Sequence, residues 1–165
     1  MTPEEYEAKR DFRKTSERHE FLDDSGKKSF VKTSGKTGLH VLVPWKSAGG
    51  YDEARAWSER IADRVVEAFP DKTTVERSKA QRHGRLYVDV MQNARGKHAV
   101  PPYVLRAVPA ATVSTPLAWW EVTLELDPSR FNLKTIFRRL ARLKRDPMAA
   151  LRAGRRRGRA GAGKG

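Results

Sequence analysis

The sequence predicts an α+β fold: a mixed, mostly antiparallel sheet of five to six strands, with two main helices packed on one face. Three observations carry that prediction. Apolar residues recur at helical spacing in two long stretches, 52–69 and 131–143. Elsewhere they alternate with polar residues in short runs, as strands do. Between these runs stand clusters of Gly, Pro, Ser and Asn that break regular structure.

Residues 1–21 form a charged N-terminal arm. Thr2-Pro3-Glu4-Glu5 is a helix start, with Thr as cap and Pro in the first turn, and the thinly apolar stretch after it predicts a short exposed helix. Asp23-Asp24-Ser25-Gly26 makes a turn. Ser29–Ser34 and Leu39–Val43 then read as two strands of a hairpin whose tip is Gly35-Lys36-Thr37-Gly38. Glycines there let backbone N–H groups converge on an anion, with Lys36 adding a charge and Ser34 a hydroxyl. The tip is not a P-loop, because Phe30 stands where that motif needs its first glycine. His40, on the second strand, reads from spacing alone as an ordinary polar neighbour.

Trp57, Ile61, Val65 and Phe69 recur every four residues and predict a helix over 52–69 that Pro70 ends. Thr73–Glu76 is a short strand, followed by a basic loop, Arg77–Arg85. Leu86, Val88 and Val90 alternate with Tyr87, Asp89 and Met91, so a strand here turns Asp89 away from the buried face. Tyr103–Val108 reads as another extended run, Pro109–Pro116 as a loop over the sheet edge, and Trp119–Leu126 as a half-exposed strand. Leu133, Ile136, Phe137, Leu140 and Leu143 form the stripe of the last helix, with Arg138, Arg139, Arg142 and Lys144 opposite. Residues 152–165 are a Gly-, Ala- and Arg-rich tail with the composition of a disordered segment.

Lys and Arg number 34 against 20 Asp and Glu, for a net charge of +14. The excess is not confined to the ends: the arm is nearly balanced, and the stretch 22–151 keeps a positive charge of its own. Such a surface favours polyanions, nucleic acid first among them. With no Cys the chain has neither disulfides nor a thiolate metal site. No apolar run reaches membrane-spanning length and no secretory core follows Met1, which points to a cytoplasmic protein with no membrane partner. Asp89 is isolated among Arg82, Arg85, Arg95 and Arg106 in sequence. An acid among arginines suits a divalent ion beside a polyphosphate, and equally an ordinary surface ion pair.

Several of these segments together resemble a known family: the polymerase domain of bacterial DNA ligase D, in the archaeo-eukaryotic primase superfamily. The resemblance rests on the run from Ser29 to Pro44, on Tyr87-Val88-Asp89 with Gln92-Asn93-Ala94-Arg95-Gly96, on Val100–Ala107, on Val113-Ser114-Thr115-Pro116-Leu117, and on Phe131-Asn132-Leu133. It covers residues 22–151 as the C-terminal half of such a domain, a primase-polymerase-like half domain. It implies a DNA-repair nucleotidyltransferase of non-homologous end joining. Its partners are DNA and nucleoside triphosphates, and its cofactor is Mn or Mg at a two-metal site. By the same resemblance Ser34, Lys36, His40, Arg82 and Arg106 are nucleotide-binding, and Asp89 is the catalytic, metal-binding carboxylate.

One departure qualifies this. The family places an Asp-x-Asp pair, its other two metal ligands, well before the hairpin, and no Asp-x-Asp occurs in this sequence. Glu5-x-Glu7 and Glu125-x-Asp127 have that spacing, but one lies in the arm and the other near a strand end. Tyr6, Lys9-Arg10-Asp11-Phe12 and Thr15 faintly resemble the start of the phosphoesterase module of the same ligase. The chain is therefore expected to be incomplete and inactive alone, unless another chain carrying the missing half or an unexpected local acid completes it; that chain or other end-joining proteins are expected partners. The alternatives are a non-catalytic nucleotide- and DNA-binding module and a decayed fragment.

Overall fold

The computed structural model describes residues 26–46 and 48–151. The expected arm helix and basic tail lie outside the described residues. The chain divides into two compact units, each considered by itself: residues up to Lys28 with Trp45–Ala99, and Ser29–Pro44 with the chain from Val100 onward.

The second unit holds most of the buried apolar side chains. Strand β1 (Phe30–Thr33) pairs antiparallel with β2 (Leu39–Leu42), in a register that sets Lys32 opposite His40. Every residue of β1 is buried, because the short strand β5 (Pro116–Leu117) pairs on its other side, giving a three-stranded sheet ordered β2-β1-β5. The helix α2 (Ile136–Arg142) buries Ile136, and Val113, Leu117, Val122, Leu126 and Met148 complete this core.

Three sequence expectations are corrected in this unit. Pro109–Pro116 is not a covering loop: Thr112–Leu117 is buried throughout. Thr33 donates its amide to Thr115 O and receives Thr115's amide on its own hydroxyl, while Ser114 donates to Val104 O. In sequence its Thr and Ser look solvent-seeking, yet their hydroxyls are spent inside: Thr115 Oγ1 donates to Val113 O, Ser114 Oγ to Thr33 O and Thr112 Oγ1 to Gly35 O. Nor does Trp119–Leu126 form a strand. Trp119–Glu121 is a 3-10 turn, because the Glu121 carboxylate accepts the Ala118 amide and is forked by Arg139 at 2.6 and 2.9 Å. That side-chain bonding overrides the alternation, leaving Trp120 exposed. Residues 103–108 contribute one isolated antiparallel bridge, Leu105 to Val113, in place of a full strand.

In the first unit the helix α1 (Gly50–Ala68) carries Asp52 and Glu53 in its first turn, where carboxylates suit the helix dipole, and buries Ala62 and Val65. Its end is tied down by Thr73, whose hydroxyl donates to Phe69 O at 2.9 Å. Thr73 opens the two-residue strand β3 (Thr73–Thr74), which pairs in parallel with β4 (Leu86–Tyr87). Regular pairing thus stops at Tyr87, before Asp89. The five strands among the described residues form two sheets, of three and two strands, where one sheet of five to six was expected. No helix among the described residues is long and apolar enough to cross a membrane.

Candidate functional site

The six residues singled out in the sequence divide between the units. Ser34, Lys36, His40 and Arg106 belong to the second, Arg82 and Asp89 to the first.

The hairpin tip of the second unit is built by Ser34. Its hydroxyl accepts the amides of Lys36 at 3.1 Å and Gly38 at 3.2 Å, and its own amide donates to Gly38 O at 2.8 Å. These bonds close a tight turn and leave the Lys36 side chain exposed. Gly35 takes φ +72°, and a Cβ placed there would lie 2.5 Å from Arg106 Cγ and 3.1 Å from the Ser114 amide. Glycine is therefore required twice, for its backbone and for the stem of Arg106 packed over it. Thr112 fastens the same turn by donating its hydroxyl to Gly35 O. Arg106 is half-buried and held through its amide to Thr112 O.

Behind the tip lies a residue that sequence reasoning missed. Lys32 is 1 % exposed, and its ammonium contacts Ser114 Oγ at 2.7 Å, His40 Nδ1 at 2.9 Å and Thr33 O at 3.4 Å. No carboxylate of the described residues is among its partners. Burial, with the Arg106 charge second, lowers its pKa from 10.5 to about 8. Equal distance from the tip Gly35–Gly38 sets Thr33 opposite His40; the turn that pairs the Ser34 amide with Gly38 O shifts the register by one residue and puts Lys32 there instead. The fold thus gathers Lys32, His40 and Arg106 with the Ser34 turn into one cationic corner.

In the first unit Arg82 is largely spent on local structure. Nε donates to Glu76 O and Nη2 to Arg77 O, at 2.9 and 2.8 Å, while the guanidinium stacks 4.0 Å from the Tyr87 ring centre. Arg85 Nε donates in turn to Arg82 O. Asp89 is exposed, but not through the expected strand over 86–91, which ends at Tyr87: it lies in the irregular stretch after it, where its Oδ1 accepts the Met91 amide at 2.9 Å. Asn93 anchors the following turn to α1 through Ser58 Oγ. Among the described residues no three acids or imidazoles gather where they could hold a metal ion. A single carboxylate with one oxygen already engaged does not fit a two-ion site, so no chemical step is assigned to metal here.

The chain was compared with known proteins. The model of the LigD primase-polymerase domain matches residues 3–148. The bifunctional non-homologous end joining protein LigD of Bacillus subtilis (strain 168) is 38% identical over 120 residues, covering 72% of this chain and 20% of that protein. The multifunctional non-homologous end joining protein LigD of Pseudomonas aeruginosa is 32% identical over 135 residues, covering 82% of this chain and 16% of that one. Among solved structures, the polymerase domain of Mycobacterium tuberculosis ligase D in complex with DNA superposes with a TM-score of 0.76 at 29% identity, over 86% of this chain and 50% of that domain. The chain thus spans about a fifth or less of the length of these curated relatives and half of the solved domain. With that family's model matching the chain nearly from end to end, the chain belongs to the LigD primase-polymerase domain family.

Proposed function

We propose that this chain is the nucleotide- and DNA-gripping part of an end-joining primase-polymerase. Ser34, Lys36, His40 and Arg106 hold the triphosphate of an incoming nucleotide, and Asp89 is one carboxylate of the metal site. Arg82 braces the loop beside Tyr87 and offers its remaining N–H groups to the nucleotide. The observation that carries the reading is the cationic corner of the hairpin unit. A buried ammonium beside a guanidinium, with no carboxylate partner among the described residues, costs free energy that a bound polyphosphate offsets. The turn at Ser34 adds backbone donors and Lys36 an exposed charge.

DNA is the second ligand of this reading. The solved relative is a complex with DNA, and the net charge of +14 supplies the electrostatic part of such binding. The transfer reaction needs more anionic ligands than Asp89, so the chain is inactive alone and the Asp-x-Asp pair comes from elsewhere. A non-catalytic binding module is the second reading, favoured by the lack of an acid cluster among the described residues.

Two measurements test this. Tripolyphosphate binding should weaken about tenfold in Arg106→Ala and in His40→Ala, the scale of one charge-assisted hydrogen bond; binding equal to wild type would remove the phosphate grip. Primer extension with Mn and ribonucleotides should show no incorporation by the chain alone. Incorporation should follow when a polypeptide carrying the Asp-x-Asp half is added, and it should vanish in Asp89→Ala. Binding without incorporation in the complemented mixture would select the non-catalytic module.

A further inference from the structure

Among the described residues of the hairpin unit Lys32 is the most deeply buried cation, and it stands behind the phosphate grip. We propose that Lys32 is a positioning residue. It holds the His40 ring in the tautomer that carries its hydrogen on Nε2, and it places a fixed charge behind the phosphate site without touching the nucleotide. The proposal rests on the reading of the hairpin as a phosphate grip.

The hydrogen-bond inventory around Nζ leads to this assignment. The Ser114 hydroxyl spends its only hydrogen on Thr33 O, at 2.8 Å, so toward Lys32 its oxygen accepts. The Thr33 carbonyl can only accept. Two of the three ammonium hydrogens are thereby directed at acceptors on β1 and the 112–115 run, and the third meets His40 Nδ1 at 2.9 Å. A ring nitrogen that accepts from an ammonium carries no hydrogen of its own, so the neutral ring carries it on Nε2, as a donor suited to a phosphate oxygen. The β1–β2 register makes the pairing obligatory, since Lys32 and His40 stand directly opposite. Ser114, fully buried, closes the pocket from the other side.

The charge on Lys32 has its own pH range. Among the described residues the ionisable groups facing it are His40 from β2 and Arg106 from the segment before β5. β1 contributes a carbonyl and the 112–115 run a hydroxyl, neither of which titrates. Burial and Arg106 bring the ammonium to about 8. A bound polyanion raises that value, so affinity is highest below pH 8 and declines as pH climbs from there. Once Lys32 is neutral, Nδ1 is free to take the ring hydrogen and donate it to Nζ, and the tautomer is no longer selected. The ligand only gains negative charge over this range, so its own titration cannot produce the decline.

The test uses the full chain. Long-range proton–nitrogen NMR correlations report the His40 tautomer without ligand, with His40→Ala assigning the signal. Calorimetry with tripolyphosphate reports affinity between about pH 7 and pH 9.5. Wild type should show the Nε2–H ring at pH 7, and its affinity should fall about tenfold by pH 9.5, the scale of one lost charge-assisted bond. Lys32→Met should give mixed tautomers and abolish the pH-dependent step. A His40 ring unchanged in Lys32→Met would overturn the proposal. So would a flat wild-type affinity profile, a measurement that needs no variant to fold. Failure of the phosphate grip is separately visible, as Arg106→Ala and His40→Ala binding like wild type, because the NMR reading involves no ligand.

Discussion

At the scale of single residues, Lys32 pits ligand binding against stability. Its folded pKa of about 8 lies below the ordinary lysine value of 10.5. Below pH 8 both folded and unfolded chains carry the proton and the burial cost is paid in full. Between about 8 and 10.5 the unfolded chain holds the extra proton, so stability rises with pH. Lys32→Met, an apolar side chain of similar length, removes the cost. It should raise the urea midpoint of the ligand-free chain at pH 7 by the equivalent of about 1–3 kcal/mol. The gap to wild type should shrink toward pH 10, where wild type has shed the charge. A variant less stable than wild type at pH 7 would mean that the bonds to Ser114 and His40 outweigh the desolvation of the ammonium.

At the scale of elements, the hairpin tip and the run 112–115 behave as one piece. Gly35 is the joint between them, with φ +72° and the Arg106 stem 2.5 Å from where a Cβ would sit. Gly35→Ala should therefore cost about 1–3 kcal/mol in chemical denaturation, from left-handed backbone strain and displacement of Arg106. It should also weaken tripolyphosphate binding as Arg106→Ala does. Stability loss with unchanged binding would show that the Arg106 stem can shift without moving its guanidinium. The turn at Trp119–Glu121 is a joint of another kind. The Glu121–Arg139 pair, with both side chains about five-sixths buried, links it to α2, and Arg139 Nη2 also donates to Pro116 O in β5.

At the scale of the whole molecule, the two units differ in how their backbones are held. The hairpin unit has a three-stranded sheet whose central strand is wholly buried, whereas the other has a long helix over two residue pairs of parallel ladder. Amide exchange should accordingly be slowest at Val31, Thr33, Val113 and Thr115, and markedly faster at Leu86 and Val88. Equal protection in the two units would show that they unfold as one. Absent protection at Val31 and Thr33 would leave no organised phosphate corner and favour a decayed fragment.

By itself the sequence determined the features that short-range chemistry dictates. The four-residue stripe placed α1 within two residues of where it lies, and the glycine-flanked tip placed the hairpin. The motifs spread from Ser29 to Leu133 were enough for the family. Tertiary structure alone decided which polar residues are interior. Thr112–Thr115 look like a loop until β1 and the 103–106 segment take their hydrogen bonds, and Glu121 breaks a strand pattern only once Arg139 is beside it. Lys32 looks like a solvated lysine until a serine 82 positions away and a histidine across the hairpin enclose it. The physical reason is common to all three: a polar group's place depends on whether distant partners satisfy it, and those partners are supplied by the fold.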